Sequence, residues 1–204
     1  DGFAAKAKEI ALQAGFKDIC AESSYYLGRS SHARSKYVAA RQHYMDSLVY
    51  SPNFPLPRFA LAQLSLHEND ITQAIEHLTK LDAKFPDLAD SKAFLGKMHL
   101  LMAQNTSSPQ DYQTHFSHAS KLLARAIQLN PSNLKAHLDL AELKERHSPL
   151  ESLQSYLHAS DLSFQQILLA SKLDLDSYKQ LAQNMWDAAA SQDPQAAQES
   201  NPDL

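Results

Sequence analysis

Apolar positions in this chain recur at three- and four-residue steps, broken at intervals by proline. In "ASKLLARAIQLNP", Ala119, Leu123 and Ala126 lie four and three residues apart, the spacing of one helix face, and Pro131 closes the run. Similar Ala-, Leu-, Gln- and Lys-rich stretches fill most of the 204 residues, and only 4 Gly interrupt them. Those residue types lose little side-chain freedom in a helix, whereas Gly loses much backbone freedom. The pattern predicts an all-α chain.

The pattern also repeats. A shift of 34 residues lays Leu27 on Leu61 and Leu95, Gly28 on Ala62 and Gly96, and Ala40 on Ala74. It lays Ser35 on Asn69, Tyr44 on Leu78 and Pro52 on Pro86. A fixed period of this length, with large-x-x-Leu-Gly, then Ala, then a large residue four on, then Pro, resembles the tetratricopeptide repeat. Each mark has a packing reason. A small residue at 28, 62 or 96 lets the second helix of a pair approach the first, with Ala40 and Ala74 facing back. Tyr44, Leu78 and Leu123 fill the space between pairs, while Ser35 and Asn69 suit turns. Pro52, Pro86 and Pro131 stop the second helix, since Pro cannot continue the hydrogen-bond ladder.

The resulting division assigns 1–20 to the second helix of a preceding repeat, 21–54 to repeat one and 55–88 to repeat two. Pro86 and Pro131 are 45 residues apart, 11 more than the period, so repeat three spans 89–133 with an insertion near 104–118. "AQNTSSPQDYQTH" is expected to hold that extra length as a loop, being rich in Asn, Thr, Ser and Pro. Repeat four covers 134–160, with Leu140, Ala141, Tyr156 and Ala159 in register. End or capping helices are expected over 161–191 and a mobile tail over 192–204, which lacks an apolar face. The fold expected is a superhelical solenoid of about four helix-turn-helix units plus end helices.

Composition removes several function classes. A net charge of -4 argues against a chain built to grip nucleic acid, although Arg29, Arg34, Lys36 and Arg41 cluster in repeat one. Solvated helix surface is the better account of that cluster. Cys20 is the single cysteine, which excludes an internal disulfide and a Cys-based zinc site, and it reads as a small buried residue. No apolar run reaches the length of a membrane span. The chain opens at Asp1 without Met or a leader pattern, so a window of a longer, intracellular protein is expected. Glycine-rich phosphate loops are absent, and no nucleophile accompanies Tyr25, Arg29 and His32, so no enzyme and no cofactor is expected.

Residues between the repeat marks carry a narrower likeness. "AESSYYLGRSSHARSKYVAARQHYMDSL", "FPLPRFALAQLSL" and "FPDLADSKAFLGKMH" resemble the tetratricopeptide-repeat subunit family of the Paf complex, which associates with RNA polymerase II. The run Ala21, Glu22, Tyr25, Leu27, Arg29, His32 and the run Leu56, Pro57, Phe59, Leu61, Gln63 match its pattern. Arg29, His32, Pro57 and Gln63 weigh most, because a generic repeat does not require them. The likeness covers residues 21–100 well, 131–160 loosely, and neither the insertion nor the residues after 160. It implies a nuclear scaffold that holds the Paf subunit and its companions on elongating polymerase and supports histone modification on transcribed chromatin. The alternative is a repeat adaptor binding peptide segments in another pathway.

First helices of stacked pairs line a concave groove in which peptide segments can lie. Groove-facing candidates are Glu22, Tyr25, Arg29, His32, Phe59, Gln63, Leu66, His67, Lys97 and Leu100. Arg29, Gln63 and Lys97 lie one period apart and should form a polar line able to accept carboxylates or carbonyls, with Tyr25 and Phe59 as apolar anchors. The chaperone-tail clamp does not fit: its positions hold Tyr25, Arg29, Gln63, Asp90 and Phe94, with no Asn and with Asp90 repelling a terminal carboxylate. His115 and His118 share a helix face, but no third ligand stands at a fitting spacing, so no metal is expected and both read as surface histidines.

Overall fold

A computed structural model describes residues 2–145 and 148–171, and every element among them is a helix. They are α1 (Gly2–Ala14), α2 (Lys17–Ala33), α3 (Tyr37–Tyr50), α4 (Pro55–His67), α5 (Ile71–Lys84), α6 (Ala89–Asn105), α7 (Pro109–Leu129), α8 (Leu134–Lys144) and α9 (Pro149–Ser171). The chain divides into two compact units, Asp1–Tyr156 and Leu157–Leu204. Of the second, only the remainder of α9 is described. Residues from 172 on, which carry most of the expected end helices and the whole tail, lie outside the described residues.

In the first unit the helices pair α2 with α3, α4 with α5 and α6 with α7, and successive pairs touch through α3–α4, α5–α6 and α7–α8. Three residues join the partners of each of these pairs (34–36, 68–70, 106–108), and four residues lead to the next (51–54, 85–88, 130–133). The first two tight turns share one geometry. Ser35 and Asn69 take positive φ angles of 59° and 60°, and the amides of Lys36 and Asp70 donate back to the Ser31 and Ser65 carbonyls at 2.9 and 2.8 Å. This left-handed stop satisfies carbonyls that the helix end leaves unpaired. Pro52, Pro86 and Pro131 each stand two residues beyond the last residue of α3, α5 and α7.

Close approach of the paired helices has a visible cause. A Cβ on Gly28 would sit 2.5 Å from the Tyr44 ring, and one on Gly96 would sit 2.8 Å from Leu123 Cγ. Ala62 and Leu78 hold the same places in the middle pair, both fully buried in one cluster with Ala74, Leu95 and Met98. Tyr44 packs among Ala40, Ala60, Leu61 and Leu64, so it ties its own pair to the next. Ser47 Oγ donates to the Ala21 carbonyl at 2.6 Å, which satisfies a hydroxyl buried between α2 and α3. Cys20 is buried, 2% exposed.

The insertion is helix rather than loop. α6, at 17 residues, is four longer than α4, and α7, at 21, is seven longer than α5, which together absorb the 11 extra residues. Thr106, Ser107 and Ser108 alone remain as the turn. Pro109 sits in the first turn of α7, where its missing N–H costs nothing, and Ser108 caps it by accepting from the Asp111 amide at 3.3 Å. The residues that read as loop formers are thus a helix start. Four and seven residues are close to one and two turns of 3.6 residues, so the lengthened helices keep their inward faces.

Candidate partner-binding groove

The even-numbered helices α2, α4, α6 and α8 line one side of the first unit, and their exposed rows enclose two adjoining hollows. The smaller, about 260 Å³, is lined by Tyr25, Arg29, His32, Ala33, Tyr44, Ala60 and Gln63. The larger, about 530 Å³, is lined by Phe59, Gln63, Asp90, Ala93, Phe94, Lys97, Asn133, Lys135, Leu138 and Asp139. Gln63 borders both, so the two read as one groove. The 34-residue period is what aligns Tyr25 with Phe59, and Arg29 with Gln63 and Lys97, along it.

At the α2 end the groove is aromatic and cationic. Tyr25 packs against Tyr44 (ring centroids 5.9 Å) and edge-on against Phe54 (5.5 Å), and the Arg29 guanidinium lies 6.0 Å over its ring. Arg29 has no ion pair among the described residues and is exposed. Burial pushes the Tyr25 phenol up, with the Arg29 charge opposing it. Burial pushes Tyr44 up to about 12, reinforced by Tyr25. His32 is pulled down by burial and by His67, so it stays neutral near pH 7.

At the α8 end the sign changes. Lys97 Nζ bonds Glu142 at 2.7 Å and Asp139 at 3.0 Å. Burial alone would lower the Lys97 ammonium, but hydrogen bonds and charge from both carboxylates outweigh it and raise its pKa. Asp139 is raised by burial despite Lys97, while at Glu142 the hydrogen bonds from Lys97 and Gln104 overcome the desolvation and lower it. Asp90 accepts from Asn133 Nδ2 at 3.0 Å, and Asn133 also caps α8 by accepting from the Ala136 amide at 3.1 Å.

The structure brings together Tyr25, Arg29, His32, Phe59, Gln63 and Lys97. Glu22 is exposed on α2 and touches neither hollow. His67 is exposed, its ring edge-on to Tyr37 at 4.2 Å. Leu66 is half-buried against the cluster around Leu78, and Leu100, 3% exposed, lies in the core with Leu123, Ala136 and Leu143. Leu100 therefore does not face the groove: it points to α7 and α8, which close over α6. Nor does Lys97 offer a free charge. Sequence reasoning missed the α8 contribution, although the insertion-corrected step of 45 residues places Glu142 after Lys97 and Leu138 after Ala93. That step shows the polar line reversing sign.

These features define a class, the all-α tetratricopeptide-repeat array. Solved structures of that class superpose on the chain: a thermophilic TPR protein of Thermus thermophilus (TM-score 0.62, 19% identity, 86% of this chain and 92% of that one) and MamA (0.60, 15%, 79% and 88%). The first TPR of Spaghetti (RPAP3), solved with an HSP90 peptide, also superposes (0.52, 17%, 62% and 91%). Among curated proteins, the chain is similar to the RNA polymerase-associated protein CTR9 of Caenorhabditis elegans, 26% identical over 145 residues, and to the CTR9 homolog of Arabidopsis thaliana, 25% over 125 residues. The fold is that of a tetratricopeptide-repeat array, and along part of its length the chain is similar to CTR9. The matches take in 71% and 59% of this chain, and only 12% and 10% of the relatives' length. No family model matches the chain. No described helix is long and apolar enough to cross a membrane, and no group of three or more His, Cys, Asp or Glu side chains among the described residues stands ready to hold a metal ion.

Proposed function

We propose that this segment is a non-enzymatic protein–protein interaction scaffold within a CTR9-like subunit of the Paf complex, which reaches RNA polymerase II in the nucleus indirectly, through that complex. The partner is a segment of the Paf subunit or of another subunit of that complex, held in the groove of α2, α4, α6 and α8. One observation carries the reading: an exposed Arg29 with no ion pair among the described residues and the Phe59–Phe94 ring pair (5.3 Å) border a continuous groove around Gln63. Unpaired charge and exposed aromatic surface in a concavity are what a binding partner can neutralise and cover. The sign reversal adds direction. An acidic residue of the partner belongs at Arg29, an apolar one between Phe94 and Leu138, and a basic one near Asp90 and Asp139.

The CTR9 likeness supports the complex, and the repeat fold supports peptide binding in general. Against a chaperone-tail clamp stands Asp90, which would repel a terminal carboxylate. A calorimetric titration with the N-terminal half of the same organism's Paf subunit tests the proposal, beside an Arg29→Glu/Gln63→Glu variant. Both side chains are exposed, so the variant should fold as the parent does. Saturable binding weakened about tenfold or more in the variant is expected. Equal binding by both proteins would move the contact off the groove, and no binding by either would return the segment to a repeat adaptor of another pathway.

A further inference from the structure

Three histidines that the groove does not use meet on the lengthened α6–α7 hairpin. His99 Nδ1 lies 3.0 Å from His115 Nδ1, with the two rings 5.3 Å apart and inclined at 32°. His118 stands edge-on to His99, ring centroids 5.1 Å apart. His115 and His118 are three residues apart on α7 and share a face, and His99 reaches them from α6. His99 and His115 are half-buried and His118 is exposed, so the cluster opens to solvent.

Two imidazole nitrogens facing each other at this distance can be joined in two ways. One ring can donate its N–H to the other, or both can present lone pairs to one ion. With metal–nitrogen bonds of about 2.0–2.1 Å, two imidazoles on one ion place their nitrogens about 2.9 Å apart at a right angle and about 3.4 Å apart in a tetrahedron. The observed 3.0 Å falls inside that range. A neutral imidazole carries such a lone pair on whichever ring nitrogen lacks the proton. The three rings are not already in ligating positions. What exists is a facing pair, with a third imidazole exposed beside it and able to turn about its side-chain bonds.

We propose that His99 and His115 chelate a divalent first-row transition ion of the zinc, nickel or copper kind, and that His118 rotates in as the third ligand. The proton between the pair passes by solvent exchange to Nε2 of the donating ring, which leaves both Nδ1 lone pairs to the ion, and the ion clips α6 to α7. Because the ligands come from two helices, binding is coupled to the folding of the hairpin.

The test is a calorimetric titration of the protein with Zn²⁺ near neutral pH, with Co²⁺ absorption in the visible as the readout of nitrogen coordination. One equivalent should bind in the micromolar range. His99→Ala and His115→Ala should each weaken it about tenfold or more, His118→Ala should weaken it less, and His67→Ala on α4 should leave it unchanged. Helical circular dichroism checks each variant, and His115→Gln serves if His99→Ala unfolds. The thermal midpoint should rise with Zn²⁺ in the parent and not in His115→Gln. Zn²⁺ affinity equal in parent, His99→Ala and His115→Gln, or no binding at all, overturns the proposal and leaves the pair as a shared-proton contact.

Discussion

Replacing Gly28 by Ala pits helix propensity against packing, and the structure decides which wins. Ala in a helix interior is favoured over Gly by about 1 kcal/mol. The new Cβ, however, would stand 2.5 Å from both Cδ1 and Cε1 of Tyr44, well inside ordinary contact. Tyr44 is 1% exposed and held among Ala40, Leu61 and Leu64, so the ring cannot swing away. Overpacking a core in this way costs about 1–3 kcal/mol, and the overlap of more than an ångström places it at the upper end. Gly28→Ala should therefore destabilise by about 1–2 kcal/mol net, or about 2–8 °C in Tm for a chain of this size. The middle pair supplies the compensating change, since Ala62 and Leu78 stand there in place of Gly28 and Tyr44. Tyr44→Leu alone should lose ring packing, and Gly28→Ala/Tyr44→Leu should recover about 1 kcal/mol or more relative to the sum of the single changes. Urea unfolding followed by circular dichroism, with the slope m unchanged, measures all four proteins. A stabilised Gly28→Ala, or strictly additive effects, would refute the close-approach argument.

Two other substitutions separate the ends of the groove. Arg29→Ala should change stability by less than about 0.5 kcal/mol, since Arg29 pairs with no carboxylate among the described residues. Lys97→Met should cost about 1–2 kcal/mol, after allowance for partial exposure, because it strands Asp139 and Glu142; equal effects in urea unfolding would contradict the sign reversal. Acid should also weaken the fold through His99. Its folded pKa of about 4 lies below the ordinary 6.5, so the unfolded chain binds the proton first. Stability is then complete above pH 6.5 and falls as the pH drops from 6.5 towards 4, with His32 and His77 shifted the same way. With chelator present, the loss between pH 7 and pH 5 should be about 1–2 kcal/mol for the parent, discounted for partial exposure, and smaller in His99→Gln. An unchanged pH slope in that variant would show that His99 does not carry it.

Much of the fold was legible because its rules act over one turn or one neighbouring helix. Gly28, Ala62 and Gly96, with Tyr44, Leu78 and Leu123 opposite them, need only the adjacent helix to have meaning. Ser35 and Asn69 as left-handed stops, and the prolines two residues past each second helix, are local chemistry. Along the groove, Tyr25, Arg29, Phe59 and Gln63 followed from the same period. Leu100 was misplaced because the groove register was carried past the point where the 11-residue insertion changes the neighbours of α6.

The sequence by itself determined the all-helical content, the repeat length and the close-packed positions, since each depends on contacts within one period. Only the tertiary structure decided what the insertion does. Its residues extend α6 and α7 by about one and two turns, and a pattern of turn-forming residue types cannot distinguish a loop from a capped helix start. The same holds for the neutralisation of Lys97 by Asp139 and Glu142, and for the meeting of His99 with His115 and His118. These join residues 16–45 positions apart on different helices, and only the packing of the lengthened hairpin against its neighbours fixes which side chains face each other.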